Sequence, residues 1–259
     1  MADDPRARTL VLFRKIDEEM VAWQPGKSSG LTPGQFISSG LFLTCWTNFG
    51  GIGHLVKQEL AEPAMIICRS LVLDAIRLAY FAERKGELEE LAVQFTKLSL
   101  AEERGFIERA KAGGLTVDDR LERLDEQDAE LRARADSLGM TKIPGLPKGT
   151  EMAKEVASFV PRLHVAAHSQ VVHTNRTAIA RRLRQDGEGG FDAKLTSDEP
   201  ELLMVSDQAI AAMCNAWVSV SVLLDLSDET VTSVADSRDQ IFAEWRQIWQ
   251  DAGLDDNTK

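Results

Sequence analysis

Apolar residues along this chain recur at three- and four-residue spacing almost from end to end, which is the period of an amphipathic helix. Residues 6–23 set Leu10, Phe13, Ile16 and Met20 on one face. The stretch QPGKSSGLTPG (24–34) interrupts the pattern with glycine and proline and reads as a loop. Residues 35–60 resume it as an apolar, glycine-containing helix, with a break expected at Gly50-Gly51. Pro63 suits the first turn of a further helix over 63–84. That segment is apolar nearly all round, with Arg69, Asp74 and Arg77 as interior exceptions, and such a helix belongs at the centre of a bundle.

Residues 87–111 form an amphipathic helix stopped by Gly113-Gly114. Thr116 with Asp119 resembles a capping box opening the next helix, 118–138. There Leu124, Leu131 and Leu138 recur every seven residues along an otherwise charged surface. A narrow apolar seam of this kind predicts pairing with the preceding helix, so 87–138 reads as a protruding helical hairpin. Residues 139–149 and 186–200 read as loops around a helix that carries the chain's arginines and histidines. The apolar segment 201–226 contains a Val-Ser-Val-Ser-Val run (218–222) with strand propensity, but its length and setting predict helix. The last helix spans 228–251, capped by Ser227 or Asp228 and carrying Trp245 and Trp249. About eight helices and no convincing strand make this an all-α multi-helix bundle, a single helical domain over 1–259.

Composition narrows the classes further. The formal net charge of -11 opposes non-specific binding to DNA or RNA by the chain as a whole. No run of about 18 uncharged apolar residues predicts a membrane span, and the N-terminus lacks the pattern of a signal peptide. Cys45, Cys68 and Cys214 are odd in number and widely spaced, which predicts reduced thiols in a cytoplasmic protein and neither a disulfide framework nor a metal knuckle. No cofactor is expected. The glycines of Asn48 to His54 follow no strand, so they predict close helix packing in place of a phosphate cradle. Trp23, Trp46, Trp217, Trp245 and Trp249 read most simply as core or dimer contacts; as an alternative, Trp245 and Trp249, four residues apart, form an apolar patch for self-association, and a homo-oligomer, most simply a dimer, is expected.

The candidate chemistry lies in Pro161 to Gln185, PRLHVAAHSQVVHTNRTAIARRLRQ, with three of the chain's four histidines, five arginines and no Asp or Glu. On a regular helix at roughly 100° per residue, Val165, Val172, Ile179 and Leu183 form a core-facing stripe. One flank carries Arg162, Ser169, His173 and Arg176; the other carries His164, His168 and Asn175. His164 and His168, spaced i,i+4, can share a divalent metal, but His173 lies nearly opposite His164. A third ligand must come from elsewhere, such as His54 or Asp74. Arg162 with His168 could serve RNA cleavage, with His168 as general acid/base and Arg162 stabilising phosphate charge. His173 is a further catalytic candidate. The remaining reading is that Ser169, His173 and Arg176 anchor other helices or recognise a partner, RNA being a possible one at this locally cationic helix.

Three family resemblances attach to these residues. One His on an early helix and HxxxH on a later one resembles the DinB-like metal-binding bundles. The R-x5-H spacing of Arg162 and His168 resembles HEPN domains, which implies a metal-independent ribonuclease of a defence or toxin system. CRSLVLDAIRLAYF (68–81) and SQVVH (169–173) together resemble the bacterial family known as domain of unknown function 5677. Arg69, Ser70, Leu71 and Tyr80 match its pattern, whereas its acidic position is Leu73 here, with Asp74 one place later. That resemblance implies an all-helical cytoplasmic protein without an established activity, and points to Arg69, Tyr80, Ser169 and His173. The leading expectation is a binding or regulatory protein rather than an enzyme, whose polar cluster comprises Arg69, Asp74, Tyr80, Ser169 and Arg176.

Overall fold

The computed structural model describes residues 4–23, 30–156, 183–185, 191–193 and 197–254. Eight α-helices account for nearly all of them: α1 Pro5–Trp23, α2 Pro33–Lys57, α3 Ala61–Glu83, α4 Leu88–Ala112, α5 Asp118–Ser137, α6 Gly149–Glu155, α7 Glu199–Leu223 and α8 Asp228–Asp251. A short 3-10 turn, Lys85–Glu87, joins α3 to α4. The all-α bundle expected from the periodicity is the fold.

The core is built around α7, whose residues are buried on every face, from Leu202 to Leu223. Enclosure at this level requires that most of its polar side chains be satisfied without water. Asp207 accepts from Trp245, the Trp217 indole N–H has no partner among the described residues, and four others turn back on their own backbone. Ser206, Asn215, Ser219 and Ser221 each donate to the carbonyl four residues earlier, at 2.7–2.9 Å. The Val-Ser-Val-Ser-Val run is therefore helical, its serines closed onto Asn215 O and Trp217 O. α3 packs most extensively against α7 and is itself covered by α2 on another side. α1 and α8 complete the enclosure of α7, α4 lies on α2, and α6 lies on α3.

Local signals fix the ends of these helices. Thr32 and Gln35 form a capping box at the start of α2, with Thr32 Oγ1 accepting from Gln35 N at 3.3 Å. Asp198 and Glu201 do the same for α7, and Ser227 Oγ accepts from Thr230 N at 3.3 Å to open α8. The tight α2–α3 turn places Glu59 at φ 61°, an uncommon conformation for a residue with a Cβ. Three contacts hold it: its carboxylate pairs with Arg6, its carbonyl accepts from Ser197 N at 2.8 Å, and Ser197 Oγ accepts from Ala61 N at 2.9 Å.

α5 packs on α4 as the heptad spacing required. Leu131 joins Val93 and Ala135 in one small cluster, with Leu138 against it; Leu124 joins Ile107 and Val117 in another. Ion pairs flank both, Arg104 to Asp125 at 2.8 Å and Lys111 to Asp118 at 2.7 Å, together with Arg134 to Glu89.

The structure departs from the sequence reading at several points. α2 is not interrupted at Gly50-Gly51; without a Pro nothing there breaks the ladder, and of the nearby glycines it is Gly53 that permits a close approach. A Cβ on Gly53 would stand 2.9 Å from the Phe13 ring, which stacks on Phe49 at 4.5 Å. Thr116 does not cap α5: Val117 holds the N-cap position without a side-chain bond. Leu183–Gln185 and Phe191–Ala193, expected as helix end and loop, are two short antiparallel strands, β1 and β2, with Leu183 opposite Ala193 and Gln185 opposite Phe191. The intervening Asp186-Gly187-Glu188-Gly189-Gly190 contains the Asp-Gly signal of a hairpin, which the helical period of the residues before it obscured. Trp245 is not part of a surface patch. It is buried at 1 % exposure, its indole donating to Asp207 at 2.7 Å, with Trp249 packed beside it on the core. No helix among the described residues is long and apolar enough to cross a membrane.

Two glycines inside helices should respond oppositely to substitution. Gly53→Val must displace Phe13 and is expected to lower stability by about 1–3 kcal/mol. Gly105→Ala on α4 meets Arg109 only at an ordinary 3.5 Å and should gain about 0.5–1 kcal/mol. Urea denaturation of both variants checks the signs.

Candidate functional site on the polar edge of helix α3

α3 is apolar where it meets α2 and α7, and part of its charge, Asp74 and Arg77 with Arg84 just past its end, lies toward α4 and α6. Residues 74, 77, 80 and 84 follow one another at three- and four-residue steps, so a single stripe presents all four. Arg77 Nη1 donates to Asp74 Oδ1 at 2.8 Å, both side chains being mostly buried. The guanidinium also lies 5.5 Å from the centre of the Phe95 ring on α4. Its Nε is buried without a hydrogen-bond partner among the described residues.

One turn on, Arg84 lies 4.9 Å above the ring of Tyr80, donates to Glu155 on α6 at 2.9 Å, and reaches Glu87 at 3.5 Å. Arg84 thus ties the last residue of α6 to the end of α3. At the other end of α6, Gly149 sits so close to Leu73 that a Cβ would fall 2.5 Å from its Cδ1. α6 is held to α3 at both ends, and the chain enters the arginine- and histidine-rich segment from this position.

The electrostatics follow from burial. Desolvation raises the Asp74 carboxyl above its ordinary 3.8, and the Arg77 charge and hydrogen bond offset only part of that. Burial likewise raises the Tyr80 phenol, with Arg84 drawing it back. The Cys45 thiol on α2 is pushed up by burial and then by the negative charge of Asp74. Cys68 is raised to about 12 by burial and by Asp207, and Cys214 is raised by burial. All three thiols are free and buried, so none has the exposed, cationic surroundings that activate a thiolate.

The predicted site residues fare unevenly. Arg69, expected in the interior, is exposed, because it lies on the side of α3 turned away from α7. Asp74 and Tyr80 are buried but do not meet each other; each is engaged by an arginine, Arg77 or Arg84, that the sequence reading left out of the cluster. The i,i+3 and i,i+4 spacings of those pairs are visible in the sequence, whereas Phe95 and Glu155 come from other helices and could not be found by spacing. His54 is exposed in the last turn of α2. Among the described residues no group of three or more His, Cys, Asp or Glu is placed to hold a metal ion. Arg162, His164, His168, Ser169, His173 and Arg176 lie outside the described residues.

A family model, that of a family of unknown function (DUF5677), matches residues 35–191, more than half of the chain. The protein belongs to this family. No curated protein and no solved structure matches it. The DUF5677 match opens in α2, includes α3 with its polar edge and all of the arginine- and histidine-rich segment, and closes at the first residue of β2. It stops before α7, the helix against which α3 packs most.

Asp74 sets a pH dependence whose sign is fixed by its raised pKa. The folded protein holds the Asp74 proton more tightly than the unfolded chain, so this group's contribution to stability falls as pH rises from about 3.8 through the folded value. In Asp74→Asn that decline disappears. The Tm of wild type minus that of Asp74→Asn should therefore decrease between about pH 3.5 and neutrality; a difference that rises with pH contradicts the assignment.

Proposed function

We propose that this protein is a non-catalytic binding or regulatory protein whose cationic segment, residues 157–185, recognises an anionic partner, RNA being the polyanion that best fits its charge. The observation that carries this reading is a charge asymmetry. Between Glu155 and Asp186 the chain holds five arginines, three histidines and no acid, inside a protein of net charge -11. Elsewhere most arginines are matched by a nearby carboxylate: Arg6, Arg8, Arg14, Arg77, Arg84, Arg104, Arg132, Arg134 and Arg238 form ion pairs. A cationic run kept free of acids in such a chain has a use for its charge. The ion pair between Arg84 and Glu155 and the close seat of Gly149 on Leu73 support a rigid base from which the segment departs. The same reading places the protein in the cytoplasm, where its three buried thiols stay reduced.

Fluorescence polarisation of the full chain with a labelled single-stranded RNA, titrated with salt, tests this. Binding is expected at about 50 mM salt and should weaken steeply as salt rises. The triple variant Arg176→Ala, Arg181→Ala, Arg182→Ala should bind at least about tenfold more weakly, with a shallower salt dependence. Absence of binding at low salt, or a triple variant that binds like wild type, overturns the reading. Gel analysis of the same RNA separates binding from catalysis. Intact RNA supports a binding protein, and cleavage abolished by His168→Ala would replace it with a ribonuclease of the HEPN type.

A further inference from the structure

The cationic segment is not the chain's only long run without acids. Between Glu19 and Glu59 there is no Asp or Glu, and α2 fills most of that interval. On the solvent-facing side of α2, Phe36, Gly40, Leu43, Thr47 and Gly50 form a stripe at i, i+4, i+7, i+11 and i+14 that carries no charge until it reaches His54 and Lys57 in the last turn. Phe36 is 70 % exposed and Leu43 56 %. Gly40, between Phe36 and Leu43, and Gly50 each leave an open depression, with no side chain within 4 Å of where a Cβ would stand. The neighbouring hydroxyls make no outward demand: Thr44 and Thr47 donate to Gly40 O and Leu43 O, at 3.0 and 2.9 Å.

We infer that this face of α2 is a two-fold interface with a second copy of the chain. Two features select that occupant over an unrelated partner. The first is charge. Copies of net charge -11 repel each other, and a face without acids lets them approach without setting carboxylate against carboxylate. The second is self-complementarity. An antiparallel crossing with Leu43 on the axis sets each Phe36 over Gly50 of the other copy and Leu43 against its own equivalent. Knob meets depression twice, as an isologous contact requires.

On the side of α1 the acid-free surface ends at Asp17, which is exposed and accepts from the Trp46 indole at 2.7 Å.

Sedimentation of the full chain between about 1 and 100 μM, without RNA, tests the inference independently of the anionic-partner reading. Wild type is expected to pass from monomer to dimer, and Leu43→Glu to remain monomeric with an unchanged circular dichroism spectrum. Leu43→Cys should form a disulfide-linked dimer on mild oxidation, whereas Phe106→Cys, at a 61 % exposed site on α4, should not. This cross-link stands as a test even if Leu43→Glu fails to fold. A wild type that stays monomeric at 100 μM, a dimer that survives Leu43→Glu, or equal cross-linking at both cysteines overturns it.

Discussion

The fold depends on enclosing α7. A 25-residue helix with almost no solvent-facing side is a large source of apolar burial, and it brings few unmet polar groups into the core, the Trp217 indole N–H being one without a partner among the described residues. Its buried Ser and Asn side chains close on carbonyls one turn back, and the neighbouring helices meet a surface that behaves as apolar. α3 can then lie flush on α7 along its length. The charges of α3 are kept off its contact with α7: Arg69 points into solvent, while Asp74 and Arg77 form the polar cluster beside α4.

Two kinds of charge management coexist on this framework. Over most of the described surface, carboxylates outnumber and neutralise the arginines pair by pair. Exposed pairs of this kind contribute little to stability, and their larger effect is to leave a diffuse negative field. Against it stand two stretches without acids, one basic and largely outside the described residues, one mostly helical and bearing few charges. Their opposite characters suit different partners, a polyanion for the first and a like-charged protein for the second.

Much of the fold was legible in the sequence because it is written in short-range periodicity. Leu124, Leu131 and Leu138 announced the pairing of α5 with α4, and the unbroken apolar run after residue 201 announced a buried helix. What was not legible depends on three-dimensional placement. Arg69 and Arg77 look alike in sequence, yet a rotation of about 80° around α3 leaves one in solvent and the other beneath Phe95. Trp245 reads as a surface aromatic until Asp207 supplies a partner for its indole. The β1–β2 pair was hidden because Leu183 also satisfies the helical stripe running up to it. The catalytic and metal-binding readings rested mainly on side chains of 161–176, which lie outside the described residues.

The three cysteines sit one on each of α2, α3 and α7, the helices that form the centre of the bundle. Each is sealed from solvent and held as a neutral thiol, Cys45 and Cys68 with their sulfur against the carbonyls of Leu71 and Val205. An alkylating reagent can reach them only when these helices part. The rate of thiol modification therefore counts openings of the core and gives the protein a built-in clock for its own unfolding.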